Sequence, residues 1–277
     1  MQDVETISNQ NNSALSETSE VLKEALLLHL ADNTLILAQR SGEWCAHGPI
    51  LEQDIAITNI TLDQIGQARN FYQYAALLMN ERLGKVSGST SANHLLVTED
   101  SLAYLRTERE FKNILLVELP NDDWGQTILR QFFFSVYQYL LYEQLVANKD
   151  EQLAAIAAKS IKEVTYHVKW SSEWVIRLGD GTQESHLRMK NAIDYLWMYT
   201  GEMFEPAVYE MHAGIDYTSL QIKWNQKVKD VFDEATLEMP GKGFMQMGGK
   251  QGSHTEYLGF LLTELQYLQR TYPGAEW

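Results

Sequence analysis

This sequence contains little cysteine, little proline and no long apolar run, and each shortage excludes a class of protein. A single cysteine, Cys45, among 277 residues rules out an internal disulfide and is typical of a reducing compartment. Five prolines leave long uninterrupted segments, as in a mostly helical protein. No apolar run approaches the ~20 residues that span a bilayer. We therefore expect a helical, cytoplasmic protein without a membrane span.

Basic residues are scarce as well. The chain has 22 Lys and Arg against 37 Asp and Glu, for a formal net charge of −15. Nucleic-acid binding is not expected, because contacts to phosphates need clustered Lys and Arg. Residues 1–20 lack the basic and apolar regions of a secretory signal peptide. We predict a flexible tail over 1–20 and one helical domain over 21–277.

Apolar residues recur at helical spacing over most of the chain, and no segment alternates like a strand. The predicted helices cover residues 21–43, 49–83, 99–117, 123–148, 151–178, 183–204, 219–238 and 254–271. Residues 84–96 form a predicted loop rich in Gly and Ser. Four of the helices are long enough to form a bundle, and the others lie beside it. The sequence therefore predicts an all-α fold, a long four-helix bundle with satellite helices.

The second predicted helix, which starts at Pro49, carries acids and amides among its isoleucines and leucines. These polar residues lie close to the apolar face: Glu52, Asp54, Asn59, Asp63 and Gln67. Polar groups at such positions either belong to a buried site or hold bundle helices in register. The presence or absence of matching metal ligands elsewhere in the chain bears on this choice.

Interior acids in a long bundle suggest a carboxylate-bridged di-iron centre. Such a centre takes a Glu from each of two helices and Glu-x-x-His from each of the other two. The three-residue step places both ligands on one helix face. None of the seven histidines has Glu or Asp three residues before it. The sequence therefore does not encode a standard di-iron centre.

Glu163 and His167 come nearest to a ligand pair. They are four residues apart on one predicted helix, and Asp63 on the second helix is a candidate partner. One interpretation is a lone metal or proton-relay site. The other is a polar tie between helices, worth up to ~1–3 kcal/mol if it is charge-assisted. We favour the tie.

Several collinear motifs from about residue 25 to the end of the chain resemble the structural C subunits of bacterial phenylacetyl-CoA epoxidases. These motifs are Glu43-Trp-Cys-x-His-Gly-Pro, Leu51-Glu-x-Asp-Ile-Ala, Asp63-x-x-Gly-Gln-Ala-Arg-Asn70, Lys162-Glu-Val-x-Tyr-His167, Arg177-Leu-Gly-Asp-Gly-Thr182, Gly248-Gly-Lys-x-Gly-x-His254-Thr-Glu-Tyr-Leu-Gly259 and Gln266-Tyr-Leu-Gln-Arg. The resemblance implies a ferritin-like fold and a place in a multicomponent monooxygenase of aerobic phenylacetate catabolism.

The resemblance also implies partners and cofactors. In this family a related A subunit holds the di-iron site, while the C subunit has lost the ligands and pairs with A. A small B subunit and a flavin and iron–sulfur reductase complete the complex. The missing Glu-x-x-His pairs agree with such a non-catalytic role, so we expect no cofactor and no catalytic residue here. Asp63, Glu163 and His167 would then be a vestigial polar core.

The same resemblance implies a contact with the CoA part of phenylacetyl-CoA around Arg109-Glu-Phe-Lys-Asn113, which makes Glu110, Phe111, Lys112 and Asn113 candidate substrate-binding residues. Lys112 and Asn113 would contact phosphate or adenine, and Phe111 would stack. The alternative is an ordinary amphipathic helix whose core face includes Phe111. We favour that helix.

Three hypotheses about function stay open at this point. The first is a structural partner that positions a catalytic homologue. The second is an oxygenase in its own right, with an unconventional site around Asp63, Glu163 and His167. The third is a stand-alone CoA-ester binding protein. The sequence also leaves open whether the isolated chain forms a homodimer.

Overall fold

A computed structural model describes residues 2–87 and 96–275 of the chain, with side chains described for 18–84 and 96–275. These residues contain no strand and fold into α-helices joined by short 3₁₀ turns. The helices are α1 (Gln2–Gly42), α2 (Leu51–Ser87), α3 (Glu99–Tyr104), α4 (Leu115–Glu118), α5 (Trp124–Leu145), α6 (Glu151–Gly179), α7 (Gln183–Leu196), α8 (Val208–Met211), α9 (Tyr217–Glu234), α10 (Glu256–Leu265) and α11 (Tyr267–Thr271).

The four long helices form a ferritin-like bundle, as predicted. α1 packs along α2, α5 packs along α6, and α2 also contacts α6. Side chains such as Ile57, Phe71, Phe132 and Val164 are fully buried between them. α7 and α9 pack on the outside of the α5–α6 pair. Among the described residues, no helix is both long and apolar enough to cross a membrane.

Two boundaries in the first half of the chain differ from the prediction. α1 begins at Gln2 rather than near residue 21, while the division into a tail over 1–20 and a domain over 21–277 stays a prediction. α2 runs on to Ser87, past the predicted start of the loop 84–96. Residues 88–95 of that loop lie outside the described residues.

The turn between α1 and α2 is fixed by Asp54. Its carboxylate accepts hydrogen bonds from the N–H groups of Ala46, at 3.2 Å, and Gly48, at 3.1 Å. A side chain on Gly48 would lie 2.7 Å from the Cα of Asp54, so this close approach requires glycine. Asp54 is therefore a structural residue of the turn and not a group inside the bundle.

The predicted helix over 99–117 is wrong. α3 ends at Tyr104, a 3₁₀ turn follows over Glu108–Glu110, and α4 begins only at Leu115. The backbone between them is extended at Phe111 and Ile114. Its N–H groups bond side chains of other elements instead of helix carbonyls: Lys112 to Asp32 (2.8 Å), Ile114 to Asn33 (2.8 Å) and Leu115 to Glu202 (2.8 Å). Tertiary hydrogen bonds thus replace the helix here.

α2 buries a different face from the one its sequence suggests. Glu52 and Asn59 are exposed, Asp63 is half-buried, and Gln67 is fully buried. Several of its branched apolar side chains are exposed instead: Leu51, Ile55, Leu62 and Ile65. The core contacts are made by Ile57, Ile60, Ala68 and Phe71.

Candidate functional site

A di-iron relative of this fold takes its metal ligands from all four helices around the bundle core. In this chain, buried amide side chains meet between α2 and α5. Gln64 donates to Gln131 at 3.2 Å, and Gln138 donates to Gln67 at 3.1 Å. Gln131 donates further to the hydroxyl of Ser135, within α5. Neutral groups bonded to one another therefore connect α2 with α5.

Asp63, Glu163 and His167 make two separate contacts between α2 and α6. His167 is fully buried, and its Nε2 lies 3.1 Å from a carboxylate oxygen of Asp63. Gln67 donates to Glu163 at 2.8 Å. The Nδ1 of His167 is buried without a hydrogen-bond partner in the described chain. The structure thus brings the candidate partner Asp63 to His167, and it joins Glu163 to Gln67.

A third contact fixes the same two helices at the end of the bundle. The side-chain oxygen of Gln53 accepts from the indole N–H groups of Trp170 (2.9 Å) and Trp174 (2.7 Å). Trp124 meets both of these rings edge to face, with centroids 6.0 Å apart. Trp44, just after α1, meets Trp124 edge to face. Polar and aromatic contacts together set the register of α2 on α6.

This donor set does not fit a di-iron centre. Such a centre needs four carboxylates and two histidines converging on one cavity. The interior between α2, α5 and α6 offers the imidazole of His167, which is bonded to Asp63, the carboxylate of Glu163, which is bonded to Gln67, and amides that are bonded to one another. The buried acid of α1, Asp32, is paired with Arg106. In the described part of the chain no three His, Cys, Asp or Glu side chains are placed to hold a metal ion together.

A second polar region, not anticipated from the sequence, surrounds the segment 106–115, whose backbone is extended at Phe111 and Ile114. Asp32 of α1 is fully buried and pairs with the guanidinium of Arg106. The hydroxyl of Tyr72 donates to the same carboxylate at 2.5 Å. Arg106 also lies over the ring of Phe111, 4.2 Å from its centroid. Because a buried charge must be paired, Asp32 and Arg106 anchor the segment to α1.

His254 and Glu118 form a second buried pair. The Nδ1 of His254 lies 2.8 Å from the carboxylate of Glu118, and its Nε2 lies 3.0 Å from the carbonyl oxygen of Phe111. Both neighbours are acceptors, so the protonated imidazole, in which both ring nitrogens donate, satisfies both contacts. Burial lowers the pKa of His254, but the hydrogen bond and charge of Glu118 outweigh it, and the net pKa is raised.

Glu210 and Lys250 form a third buried pair, 2.9 Å apart. Tyr217 donates to Glu210 at 2.5 Å, and the Nε2 of His29 lies 3.3 Å from it. Burial raises the pKa of Glu210, but His29, Lys250 and the Tyr217 hydrogen bond lower it further, so the pKa lies well below its usual range. Glu210 is therefore ionised and holds Lys250 inside the protein.

The glycine-rich loop 248–254 lies directly on the extended segment. A side chain on Gly249 would overlap the carbonyl oxygen of Asn113, and one on Gly252 would overlap that of Arg109. The carboxylate of Glu202 accepts from the N–H groups of Gly248 (2.9 Å) and Leu115 (2.8 Å). The loop is a packing element rather than a phosphate loop, in line with its lack of a P-loop pattern.

The four residues of the predicted CoA contact lie in this segment but differ in exposure. Phe111 and Asn113 are fully buried, and Asn113 donates to Glu118 at 2.7 Å. Glu110 is exposed and accepts from the N–H of Thr107 at 2.7 Å. Lys112 is half-buried, with its ammonium group 5.5 Å from the ring centroid of Tyr209. Only Glu110 and Lys112 reach the surface.

Two sequence signals pointed to the buried charges, although sequence reasoning missed the charges themselves. Asp32 and Asn33 interrupt an otherwise apolar run in α1. The motif from Gly248 to His254 combines three glycines with a lysine and a histidine. Neither signal reveals the distant partners, which are Arg106 for Asp32 and the acids Glu118, Glu202 and Glu210 for the glycine-rich motif.

Together the bundle and its interior define a ferritin-like helical protein whose core holds bonded amides and polar ties between helices. A family model described as phenylacetic acid catabolic protein matches residues 1–277. The chain is 45% identical over 258 residues to the C subunit of 1,2-phenylacetyl-CoA epoxidase from Escherichia coli (strain K12), an alignment that covers 91% of this chain and 98% of that protein. The chain belongs to the family of phenylacetic acid catabolic proteins.

Proposed function

We propose that this chain is a non-catalytic structural subunit of a phenylacetyl-CoA ring epoxidase complex, in aerobic phenylacetate catabolism. It stabilises and positions a catalytic homologue that holds the di-iron site. Membership of the family and the similarity to the C subunit of an epoxidase support the pathway. A location in the cytoplasm is part of the proposal and rests on the single cysteine.

One observation carries the structural role. Across the bundle interior, Gln64 bonds to Gln131 and Gln67 bonds to Gln138. An amide side chain carries no charge to balance a metal cation, and these amides are already bonded to one another. Their role is to join helices, which is what a scaffold requires.

The expected partners are the catalytic ferritin-like A subunit, a small B subunit and a reductase with flavin and iron–sulfur groups. The cofactors of the reaction would be on those chains. This chain would contribute its surface and its fold. The activation of O₂ would take place in the A subunit.

A contact with the CoA part of the substrate is a further part of the proposal. Of the four residues suggested for it, Lys112 is the one with a cationic group near the surface, which suits a phosphate. Phe111 and Asn113 would support Lys112 from the interior, because both are buried next to it. The stacking role considered for Phe111 is not part of this proposal.

Reconstitution tests the function. This chain and the catalytic homologue would be purified singly and together, and conversion of phenylacetyl-CoA would be measured with the B subunit, the reductase and its electron donor. We expect the two bundles to co-purify and turnover to depend on the catalytic homologue. We expect no turnover from this chain when only the B subunit, the reductase and its electron donor are added.

Two results would contradict the proposal. Turnover by this chain without the catalytic homologue, with about two irons per chain as in a di-iron bundle, would make it an oxygenase. Failure to co-purify, together with binding of phenylacetyl-CoA by the isolated chain, would make it a stand-alone CoA-ester binding protein.

A further inference from the structure

The bundle holds one side of the segment 106–115. The backbone N–H of Lys112 donates to the carboxylate of Asp32 at 2.8 Å. The Nδ1 of His29 lies 2.7 Å from the carbonyl oxygen of the same lysine. The N–H of Ile114 donates to a third side chain of α1, also at 2.8 Å. Because all three partners are on α1, the bundle fixes this side of the segment by itself.

A different part of the chain covers the other side. This part, residues 248–271, consists of the glycine-rich loop, α10 and α11, and we call it the strap. Near one end of the strap, the Nε2 of His254 lies 3.0 Å from the carbonyl oxygen of Phe111. Near the other end, Gln266 donates to the carbonyl oxygen of Arg106 at 3.0 Å. The strap is therefore attached to the segment near both of its own ends.

The strap contributes few side chains to the hydrophobic core. Three leucines of α10 are buried: Leu258, Leu261 and Leu262. In contrast, Phe260 is 69% exposed and Tyr267 is 60% exposed. The main neighbours of α10 are short elements, namely α11, α4 and the 3₁₀ turn of the segment. Regions with few buried apolar contacts open at a lower free energy than the core of the same protein.

Buried ion pairs make up much of the attachment. His254 lies 2.8 Å from Glu118, and Lys250 lies 2.9 Å from Glu210. These groups lose their hydration when the strap closes and regain it when the strap opens, so the net contribution of each pair is small. Opening the strap therefore costs less free energy than the number of its hydrogen bonds suggests.

The chain just before the strap has the properties of a hinge. Residues 241–244 are exposed, and two of them, Gly241 and Gly243, have no atom within 4 Å of an added side-chain carbon. Gly248, the first residue of the strap, has φ +137°, a conformation that glycine adopts readily. A few loop positions of this kind can absorb the backbone rotations of a hinge motion.

We infer that the strap opens as one cooperative unit about the hinge 241–248, while the segment 106–115 stays bonded to α1. The open form leaves the carbonyl oxygens of Arg106 and Phe111 free, on the same segment that carries Lys112. The strap thus controls access to the carbonyl side of this segment. The inference concerns the chain itself and does not rest on the proposed function.

Native-state hydrogen exchange of the full-length chain tests the inference amide by amide. We expect the slowly exchanging amides of the strap to share one opening free energy, lower than that of α5. His254→Gln should speed exchange at least about tenfold, through the loss of a charge-assisted hydrogen bond, even at the distant amide of Leu262. Gln266→Ala is a second variant at the other end of the strap, and it should speed exchange about fivefold at the amide of Ser253.

Two comparisons decide whether the strap moves alone. In the wild type the amide of Lys112 should exchange more slowly than those of the strap, because its acceptor Asp32 stays in place. His167→Ala is the matched control, because His167 bonds to Asp63 within the bundle. It should speed exchange in α6 at least about fivefold and change exchange in the strap less than about twofold, as expected for distant sites.

Three results would overturn the inference. Equal acceleration of the strap and α6 by His167→Ala would show that the strap opens only when the whole protein unfolds. An effect of His254→Gln confined to the loop 248–254 would show that the strap is not one unit. Equal exchange of Lys112 and the strap in the wild type would show that the segment leaves α1 together with the strap.

Discussion

At the scale of single residues, His254 shows how this protein uses buried charge. Its protonated imidazole donates to Glu118 and to the carbonyl oxygen of Phe111, so it links the glycine-rich loop to α4 and to the segment 106–115. Such a link depends on the proton that makes both nitrogens donors. It should therefore be visible in the pH dependence of stability.

We predict that His254→Gln destabilises the protein more in acid than in alkali. The pKa of His254 is raised in the folded state by Glu118, against the effect of burial, and in the unfolded chain it is ~6.5. A raised pKa gives stability that is full below the unfolded value and is lost as pH rises through the folded value. The stability difference from wild type, about 1.5–3 kcal/mol in acid for a charge-assisted hydrogen bond, should shrink as pH rises.

Denaturant unfolding between about pH 5.5 and 9, a range that brackets the ordinary histidine pKa, measures this difference. His47→Gln is the control, because His47 is exposed and bonds only the carbonyl of Cys45, and its difference from wild type should stay flat. A His254→Gln difference that is constant across the range, or that grows with pH, would show that the imidazole is neutral.

The sequence specifies these single-residue contacts unevenly. In the sequence Asp63 is only a candidate partner of His167, and the packing of α2 beside α6 brings the two side chains together. The amide pairs Gln64–Gln131 and Gln67–Gln138 do not follow from it, because a glutamine gives no periodic signal of its own. The ion pairs of Glu118 and Glu210 join residues distant in sequence, and nothing local specifies them.

At the scale of elements, the long helices are the predictable part and the segment 99–117 is not. α5 and α6 begin and end within about three residues of the prediction, because their apolar spacing and caps are local. The segment around Phe111 has helical spacing too. It is extended because Asp32, Asn33 and Glu202 accept hydrogen bonds from its backbone N–H groups. These acceptors lie far away in the sequence, so the residue pattern of the segment itself does not predict them.

The loop 248–254 is the counterpart of that segment, and Gly252 tests the contact between them. Gly252 has φ +79°, and a side chain there would overlap the carbonyl oxygen of Arg109. We predict that Gly252→Ala lowers the free energy of unfolding by about 3–4 kcal/mol, since left-handed strain is added to a clash with backbone. Thermal or denaturant unfolding measures it.

Gly214→Ala separates the two causes. Gly214 has a similar φ of +71° but no atom within 4 Å of the added carbon, so only the strain of about 1 kcal/mol applies. Equal losses of the free energy of unfolding for Gly252→Ala and Gly214→Ala would mean that the loop 248–254 does not pack closely against the segment 106–115.

At the scale of the whole molecule, the fold class and the family follow from the sequence, whereas the face of α2 that packs against the core does not. Its acids and amides suggested an interior site, yet Glu52 and Asn59 face solvent and Leu62 is exposed. Helical spacing identifies two apolar faces on α2 without saying which one meets the core. The packing of α1 and α6 decides that.

A scaffold uses its interior polar groups to join helices and not to carry out chemistry. Gln67 and Glu163 tie α2 to α6, as do Asp63 and His167. These groups should matter for stability and for the yield of complex, and not for the chemical step. The same substitutions can therefore distinguish a scaffold from an enzyme.

The most direct measurement is the turnover of assembled complex that contains Glu163→Gln or His167→Ala. Complex would be purified by size and its kcat for phenylacetyl-CoA expressed per assembled particle. We predict a lower yield of complex, by the loss of an interhelical tie worth about 1–3 kcal/mol, and a kcat within about twofold of wild type, which is less than ~0.5 kcal/mol in barrier. Loss of turnover in a fully assembled complex would contradict the scaffold role and place chemistry in this chain.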